Sequence, residues 1–336
     1  MRVFVYEYVT GGGWFEQSSE PPTGSLLAEG SAMAAAVAED LTALGHQTYL
    51  LRDVRLPHFR HLGELTSVDS RVAEELAFSR VAKRCDAALL IAPEFDQILL
   101  RRCRWALQAG VRLLSPGEAF ITATSDKLRF ASLLEAAGAP TPATFLLADA
   151  AAAGKRLFFP AILKPRAGAG SQGLRLLQER GDLEHLLATT DAAEQEQLLV
   201  QAFAPGMAAS LAVLGGGDRP PVLLPAFEQL LSAGDFVYQG AAGPLAASLQ
   251  ERAQRLVRAA LRALPPLTGY AGFDLVLGND PAGTADTVVE ANPRLTTSYA
   301  ALRQISNTAA CMMGTAQGES VLLRLKNSQI LYRVGR

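Results

Sequence analysis

The first 115 residues alternate short apolar runs with helical repeats, and that alternation restricts the fold more than any other feature of the chain. RVFVYEY reads as a strand and SLLAEGSAMAAAVAEDLTALGH as a helix stopped at Gly45. QTYLL follows as a strand, VDSRVAEELAFSRVAKRC as a helix, DAALLIAP as a buried strand, FDQILLRRCRWALQAG as a helix and VRLLS as a strand. Side chains repeat every two residues in a strand and every 3.6 in a helix, which separates the two kinds of run. A β-α-β-α-β-α-β order predicts an open parallel sheet covered by helices. Ligands of such sheets bind outside the carboxyl ends of the strands. Glu7 with Gly11, Gly12 and Gly13, and Glu94 after Pro93, stand there as candidate substrate contacts; ordinary loop residues are the competing reading.

The character changes after Ser115 and Pro116. GEAFITAT and SDKLRFASLLEAAG read as helices. Ser125 can cap the second, with Asp126 favoured near its positive end. Lys127 then sits in a first turn, where a cation opposes the helix dipole. Rule-breaking of that kind is expected at functional sites, although a solvated surface lysine is the simpler alternative. The stretch 138–142, GAPTP, reads as a linker. Beyond it lie TFLL, AILKP, LRLL, EQLLVQAFAPG, SLAVL and PVLLPAFEQLL, short strands with antiparallel turns between them. DFVYQGAAGP reads as a glycine-rich loop near Tyr238. AASLQERAQRLVRAALRAL carries a stripe of Leu249, Ala253, Leu256, Ala260 and Leu264, which is core. The end, VLLRLKNSQILYRVGR, reads as a hairpin turning at Asn327 and Ser328.

Two stretches carry chemistry. DTVVEANPRLTTS, residues 286–298, reads as a strand presenting Glu290, Asn292 and Arg294 to one side, because alternate residues share a face. Asp274, in the strand YAGFDLVLG, can add another oxygen. Carboxylates and an amide oxygen suit a hard cation, and a guanidinium forks onto a phosphate. A strand-end turn punctuated by Asn-Pro, with a solvated arginine, is the plainer account. The second stretch is residues 168–173, GAGSQG, a literal G-x-G-x-x-G. A dinucleotide fingerprint needs a helix after the glycines and an acidic residue about 20 positions on. Here LRLL and the turn-like QERGD follow, so the unit reads as strand-loop-strand. Such a loop suits phosphate contacts through backbone N–H groups, with Lys164 as a point charge. An unpaired lysine in the apolar strand AILKP is costly, and an anion is its natural partner.

Composition removes other classes. The chain has 336 residues, too many for one ordinary core, which predicts two or three lobes. Hydrophobic residues are 49% and charged residues 19%, the balance of a globular protein, and a net charge of −2 gives no ground for nucleic-acid or membrane partners. No apolar run is long enough to span a bilayer, and Glu7 and the glycines interrupt any leader-like core, so a cytoplasmic protein is expected. Cys85, Cys103 and Cys311 form no CxxC and read as core residues. His46, His58, His61 and His185 complete no metal cluster.

Four signals in one order resemble the ATP-grasp superfamily of carboxylate–amine ligases: Asp126–Lys127 opening a helix, Lys164 before a glycine loop, VQAF-APG, and Asp274 with Glu290-Ala-Asn292-Pro-Arg294. The resemblance covers residues 1–310. It implies an α/β ATP-grasp fold with a parallel pre-ATP-grasp lobe, 1–122, and two α+β lobes enclosing ATP, 123–200 with the glycine loop and 201–336 with the metal site. By that resemblance Lys127 and Lys164 hold the α- and β-phosphates. Gly168, Ala169, Gly170, Ser171 and Gly173 close over the β- and γ-phosphates, and Gln201, Phe203 and Ala204 form the hinge on adenine. Asp274, Glu290 and Asn292 bind Mg2+, with Mn2+ as the alternative ion. Arg294 and Lys164 act on the transferring phosphoryl group. Gln201 or Ala202 stands where many members have a hinge glutamate, and Met207, Ala208 and Ala209 stand where many have an acidic ribose ligand. YEYVTGGG, IAPEFDQIL and EANPRLTTS most resemble tyramine–glutamate ligases and their relatives in methanofuran-type cofactor biosynthesis. That implies glutamate as the acid, a tyramine- or tyrosine-like amine, and Tyr238, Thr296, Thr297 and Ser298 beside the substrates. A homodimer is compatible with it. Two other classes stay open: a nicotinamide-dependent oxidoreductase using residues 168–173, and an ATP-binding protein of the same fold without activity.

Overall fold

The computed structural model describes residues 1–57, 63–168, 173–232, 234 and 236–334. His58 and His61 lie outside them, as do Ala169, Gly170 and Ser171 of the glycine loop.

The first sheet is parallel and contains β1 (Arg2–Glu7), β2 (Gln47–Asp53), β3 (Glu64–Val68), β4 (Ala87–Ile91) and β5 (Arg112–Leu113), in the order β3-β2-β1-β4-β5. Alternate residues of β1 feed opposite faces: Val3 and Val5 meet one core, Phe4 and Tyr6 the other. The helix Gly24–Ala43 covers the first face; Arg71–Ala82 and Ile98–Gln108 cover the second. The strand β3 adds an edge that the sequence reading lacked. ELTSV is short and polar, and only Val68 is buried, as suits an edge strand, so its apolar signal is weak.

The second sheet, antiparallel, has the order β6-β9-β7-β8, from β6 (Thr144–Leu146), β7 (Ala161–Pro165), β8 (Arg175–Leu177) and β9 (Leu198–Ala202). It closes on its own core of Leu147, Leu163, Leu183 and Val200. The third sheet holds β10 (Met207–Gly216), β11 (Arg219–Leu223), β12 (Phe227–Leu231), β13 (Tyr238–Gly243), β14 (Thr268–Leu277), β15 (Thr287–Asn292) and β16 (Ile330–Arg333). Its order is β15-β14-β10-β12-β13-β16, with β11 on β10. The helix Ala247–Ala263 packs its stripe of Ala253, Leu256, Val257 and Ala260 beneath this sheet.

The first and third sheets share apolar material. One core runs from Val5, Val37 and Ile91 into Tyr270, Tyr299, Leu302 and Met312. Tyr299 donates to Asp40 at 2.6 Å, and Arg303 pairs with the same carboxylate at 2.6 Å, so polar contacts close the rim of this junction. No helix among the described residues is long and apolar enough to cross a membrane.

Four local expectations are corrected. Asp126, not Ser125, caps the helix Lys127–Ala136, accepting from the N–H groups of Leu128 at 3.0 Å and Arg129 at 3.2 Å. PVLLPAFEQLL is two strands, because Pro225 has no N–H to give a ladder. The Gln250 amide instead grips Ala226, donating to its carbonyl and accepting from its N–H, both at 2.9 Å. The residues around Tyr238 form β13 and not a loop; its glycine admits a close neighbour, since a Cβ on Gly240 would stand 2.0 Å from the Tyr332 carbonyl oxygen. The terminal hairpin is absent: β16 pairs with β13, leaving VLLRL without a strand partner in it.

Candidate active site

A cleft of about 280 Å³ opens between the second and third sheets, lined from β7 and β9 on one side and β10, β12, β13, β14 and β15 on the other. Ligand clefts characteristically combine apolar walls with a few convergent polar groups. Phe203 and Phe236, with ring centroids 6.4 Å apart, stand in the apolar wall with Ile162 and Leu231.

The acidic group is built by strand register. β14 and β15 run antiparallel with Asp274 opposite Glu290 and Gly272 opposite Asn292, so the three polar residues converge on one face. Asn292 donates to Asp274 Oδ2 at 2.9 Å, and Gln229 of β12 donates to Oδ1 at 2.8 Å. Burial and the neighbouring Glu290 raise the pKa of Asp274. Burial pushes Glu290 the same way, but Lys127, Lys164 and Arg294 outweigh it and hold Glu290 below its ordinary value.

The cations come from three places. Lys127, first residue of its helix, donates to the Gly168 carbonyl at 2.7 Å and stands 3.6 Å from Glu290 Oε2. The cap that places it is itself held: Arg166 binds Asp126 at 2.7 Å. Lys164 on β7 is buried and donates to Gln201 Oε1 at 2.9 Å, while Gln201 donates to Thr144 Oγ1 at 2.8 Å. Burial lowers its pKa to about 8 although Glu290 and Asp274 pull upward. Arg294 follows β15, pairs with Glu94 at 3.2 Å and thereby ties the end of β4 to the third sheet. Gly272 makes room for the chain beyond: a Cβ there would stand 2.5 Å from Thr296 Cγ2.

Most of the sequence-predicted residues converge. Lys127, Lys164, Gly168, Gln201, Phe203, Ala204, Tyr238, Asp274, Glu290, Asn292, Arg294, Thr296, Thr297 and Ser298 all line the cleft. Gly173, at φ +74°, ends the glycine loop. β7 and β8, on either side of residues 168–173, pair antiparallel, so a strand follows Gly173 where a dinucleotide fold would put a helix. Glu7, Gly11 and Gly12 lie outside the lining. Glu7 is buried and accepts from the N–H groups of Val9 at 3.1 Å and Thr10 at 2.7 Å. Gly12 adopts φ +95° with no room for a Cβ against Val68. Sequence reasoning missed Gln229, Glu29 and Phe236. Gln229 carries no motif, and only the sheet order, with β10 between β12 and β14, brings its amide across to Asp274.

The donor set suits a hard divalent cation: the Asp274 and Glu290 carboxylates and the Asn292 amide oxygen, with the Gln229 amide beside them and no thiol or imidazole among the described lining residues. Among the described residues no group of three or more His, Cys, Asp and Glu side chains converges, so protein ligands alone would leave coordination positions for water and substrate oxygens. Asn292 now turns its nitrogen to Asp274; rotating the amide would present its oxygen.

Comparison with known proteins agrees with this architecture. An ATP-grasp domain model matches residues 124–298, and a pre ATP-grasp domain model matches residues 46–121. A D-alanine–D-alanine ligase from Desulforudis audaxviator is 29% identical over 172 residues, which are 47% of this chain and 55% of that protein; the chain thus spans about half the length of that relative. An ATP-grasp superfamily protein from Archaeoglobus fulgidus superposes with a TM-score of 0.69 at 21% identity, over 96% of this chain and 89% of its own. N5-carboxyaminoimidazole synthetase from Staphylococcus aureus, solved with ADP, superposes at 0.71 with 16% identity, over 96% and 79%. These likenesses establish the shared fold.

Proposed function

The chain belongs to the ATP-grasp family, and from that premise we propose that it is an ADP-forming ligase joining a carboxylate to an amine. The observation that carries the reading is the convergence of Lys127, Lys164 and Arg294 on Asp274 and Glu290 within one cleft that also has an apolar wall. An inert binder of adenine needs the wall and not the charges. The lobes 1–122, 123–200 and 201–336 serve as the working units of this reading.

ATP is bound with its base against Phe203 and Phe236 and its phosphates toward the lysines. Asp274, Glu290 and Asn292 would hold Mg2+ or Mn2+, whose charge neutralises the phosphate oxygens. Lys164 and Lys127 add positive charge that is already in place, so little reorganisation is required during transfer. An oxygen of the substrate carboxylate attacks the γ-phosphorus, ADP leaves, and an acyl phosphate forms beside Arg294. The amine nitrogen then attacks the acyl carbon, and phosphate leaves with the bridging oxygen. No protein nucleophile takes part. Residues 168–173 would exclude water from the acyl phosphate.

For the substrates we propose glutamate and a tyramine- or tyrosine-like amine, in the formation of a methanofuran-type cofactor; the strings YEYVTGGG, IAPEFDQIL and EANPRLTTS support that narrower choice. The test is incubation with Mg2+, ATP, glutamate and a panel of amines including tyramine and tyrosine, reading ADP and product mass. ADP release that requires both acid and amine, with a product of the summed mass less water, is the expected result. ATP binding without ADP release across the panel would favour the inactive binder.

A further inference from the structure

A second cavity of about 230 Å³ lies beside the cleft and shares two of its residues, Glu29 and Thr297. Helix Gly24–Ala43 supplies Ala28, Glu29, Ala32 and Met33, which recur at helical spacing on one face. Ala300 and the strand-end residues Tyr332 and Val334 close the other side. Apart from Glu29, Thr297 and the Tyr332 hydroxyl, the described lining is apolar and contains neither lysine nor arginine.

Glu29 is half-buried, and no ion pair or hydrogen bond to its carboxylate is found among the described residues. Arg294, whose charge is felt at Glu29, is turned to Glu94 at 3.2 Å. Burial raises the pKa of Glu29 while Arg294 pulls it down, so a carboxylate is held here at a cost that a ligand cation would relieve. Close by, the Tyr238 hydroxyl is buried without a hydrogen-bond partner among the described residues, although Thr297 stands near it. Among the described residues, Tyr238, Tyr332 and Arg294 are the titratable or charged groups whose electrostatics couple to Glu29. A buried hydroxyl left unmade and a carboxylate left unpaired, at the mouth between two cavities, specify a ligand with hydrogen-bond donors and positive charge.

Resting on the ligase reading above, we propose that this side cavity binds the amine substrate, its ammonium between Glu29 and Tyr238 Oη and its apolar body against Ala32, Met33 and Tyr332. Because the side cavity offers no cation among the described residues, it selects primary amines over α-amino acids that carry a carboxylate next to the nitrogen, and so tyramine over tyrosine. Glu29, as a member of both linings, sets the nitrogen at the border with the phosphoryl-transfer cleft.

The test is calorimetric titration of the whole protein with butylamine and benzylamine, and with valerate and phenylacetate as carboxylate counterparts. Norvaline and phenylglycine serve as amino-acid counterparts, and Mg2+-ADP is titrated into the same samples. Butylamine and benzylamine should bind, and the carboxylates and amino acids should bind at least about tenfold more weakly, the scale of one charge-assisted contact. Glu29→Gln should weaken the amines by about the same factor. Ala32→Phe, at an exposed helix position, should block benzylamine more than butylamine; thermal melting checks that both variants are folded. Amine affinity unchanged in both variants, or carboxylates binding as well as amines, would overturn the proposal. A wild-type protein that binds Mg2+-ADP but none of the amines overturns the subsite alone. One that binds amines through Glu29 but no Mg2+-ADP upholds the subsite and defeats the ligase reading.

Discussion

Two strands of this chain deliver a glutamate toward the middle of the molecule, and they use it in opposite ways. Glu7 closes β1 with its carboxylate satisfied by the N–H groups of Val9 and Thr10, and Gly30 leaves no space behind it: a Cβ there would stand 2.6 Å from Oε1. Burial pushes its pKa up, against those hydrogen bonds. Glu290, near the end of β15, meets side chains: Lys127 at 3.6 Å, with the charges of Lys164 and Arg294 around it, and its pKa is held down. The first carboxylate is a staple that shapes a turn. The second is an open acceptor in a field of cations. What separates them is whether the local backbone has already used the oxygens, which a strand-end glutamate in a sequence does not disclose.

That contrast is open to direct attack by mutation. The largest effect is expected at Glu290: replacing it by alanine should lower ADP formation by about a thousandfold or more, the upper range for loss of one preorganised charge contact, measured in a coupled ADP assay. Unchanged turnover would remove the phosphoryl-transfer reading. Lys164→Met should follow, at roughly a hundredfold. Its pH dependence has a definite sign. The folded-state pKa is lowered from 10.5 to about 8, so between those values the unfolded chain binds a proton that the folded chain does not. From this group, stability of the nucleotide-free protein should therefore rise with pH across that window, while ATP affinity falls as pH passes about 8. Lys164→Arg should remove the affinity step, because a guanidinium stays charged.

The next effect is subtler. Gln229 holds Asp274 Oδ1 at 2.8 Å. Gln229→Leu should raise the Mg2+ concentration for half-maximal activity by about tenfold, as is usual for residues that orient a metal ligand, with maximal rate recovered at high Mg2+. The smallest effect on activity is expected at Glu7. Glu7→Ala should cost about 1–3 kcal/mol of stability by leaving two buried N–H groups unpaired, read by denaturant melting, while the KM for ATP stays where it was. A Glu7 variant that lost ATP affinity and kept its stability would erase the distinction between the two carboxylates.

Legibility in the sequence followed the same physical line. Residues whose roles depend on strand period were readable: Glu290, Asn292 and Asp274 sit where alternation puts them, and β14 and β15 pair them in register. The four-strand parallel alternation was readable because buried strands are apolar throughout. The edge strand β3 was not, since its side chains are largely outside the core. Gln229 and Glu29 were invisible for another reason: each reaches the cleft through the packing of an element with no motif of its own, β12 in one case and the helix Gly24–Ala43 in the other. The break at Pro225 was legible in principle, because a proline within PVLLPAFEQLL argues against one continuous central strand. The cap at Asp126 needed the structure, as Ser125 and Asp126 are both good capping residues.

The central claim is that a substrate carboxylate attacks the γ-phosphate within the cleft formed around Lys164 and Glu290. It is tested most directly by supplying glutamate with both side-chain and α-carboxylate oxygens replaced by 18O, together with Mg2+, ATP and the amine, and reading the phosphate by mass spectrometry. Transfer of one labelled oxygen into inorganic phosphate, with unlabelled ADP, is the predicted result. Label in AMP, or phosphate that carries none while the amide still forms, would contradict it.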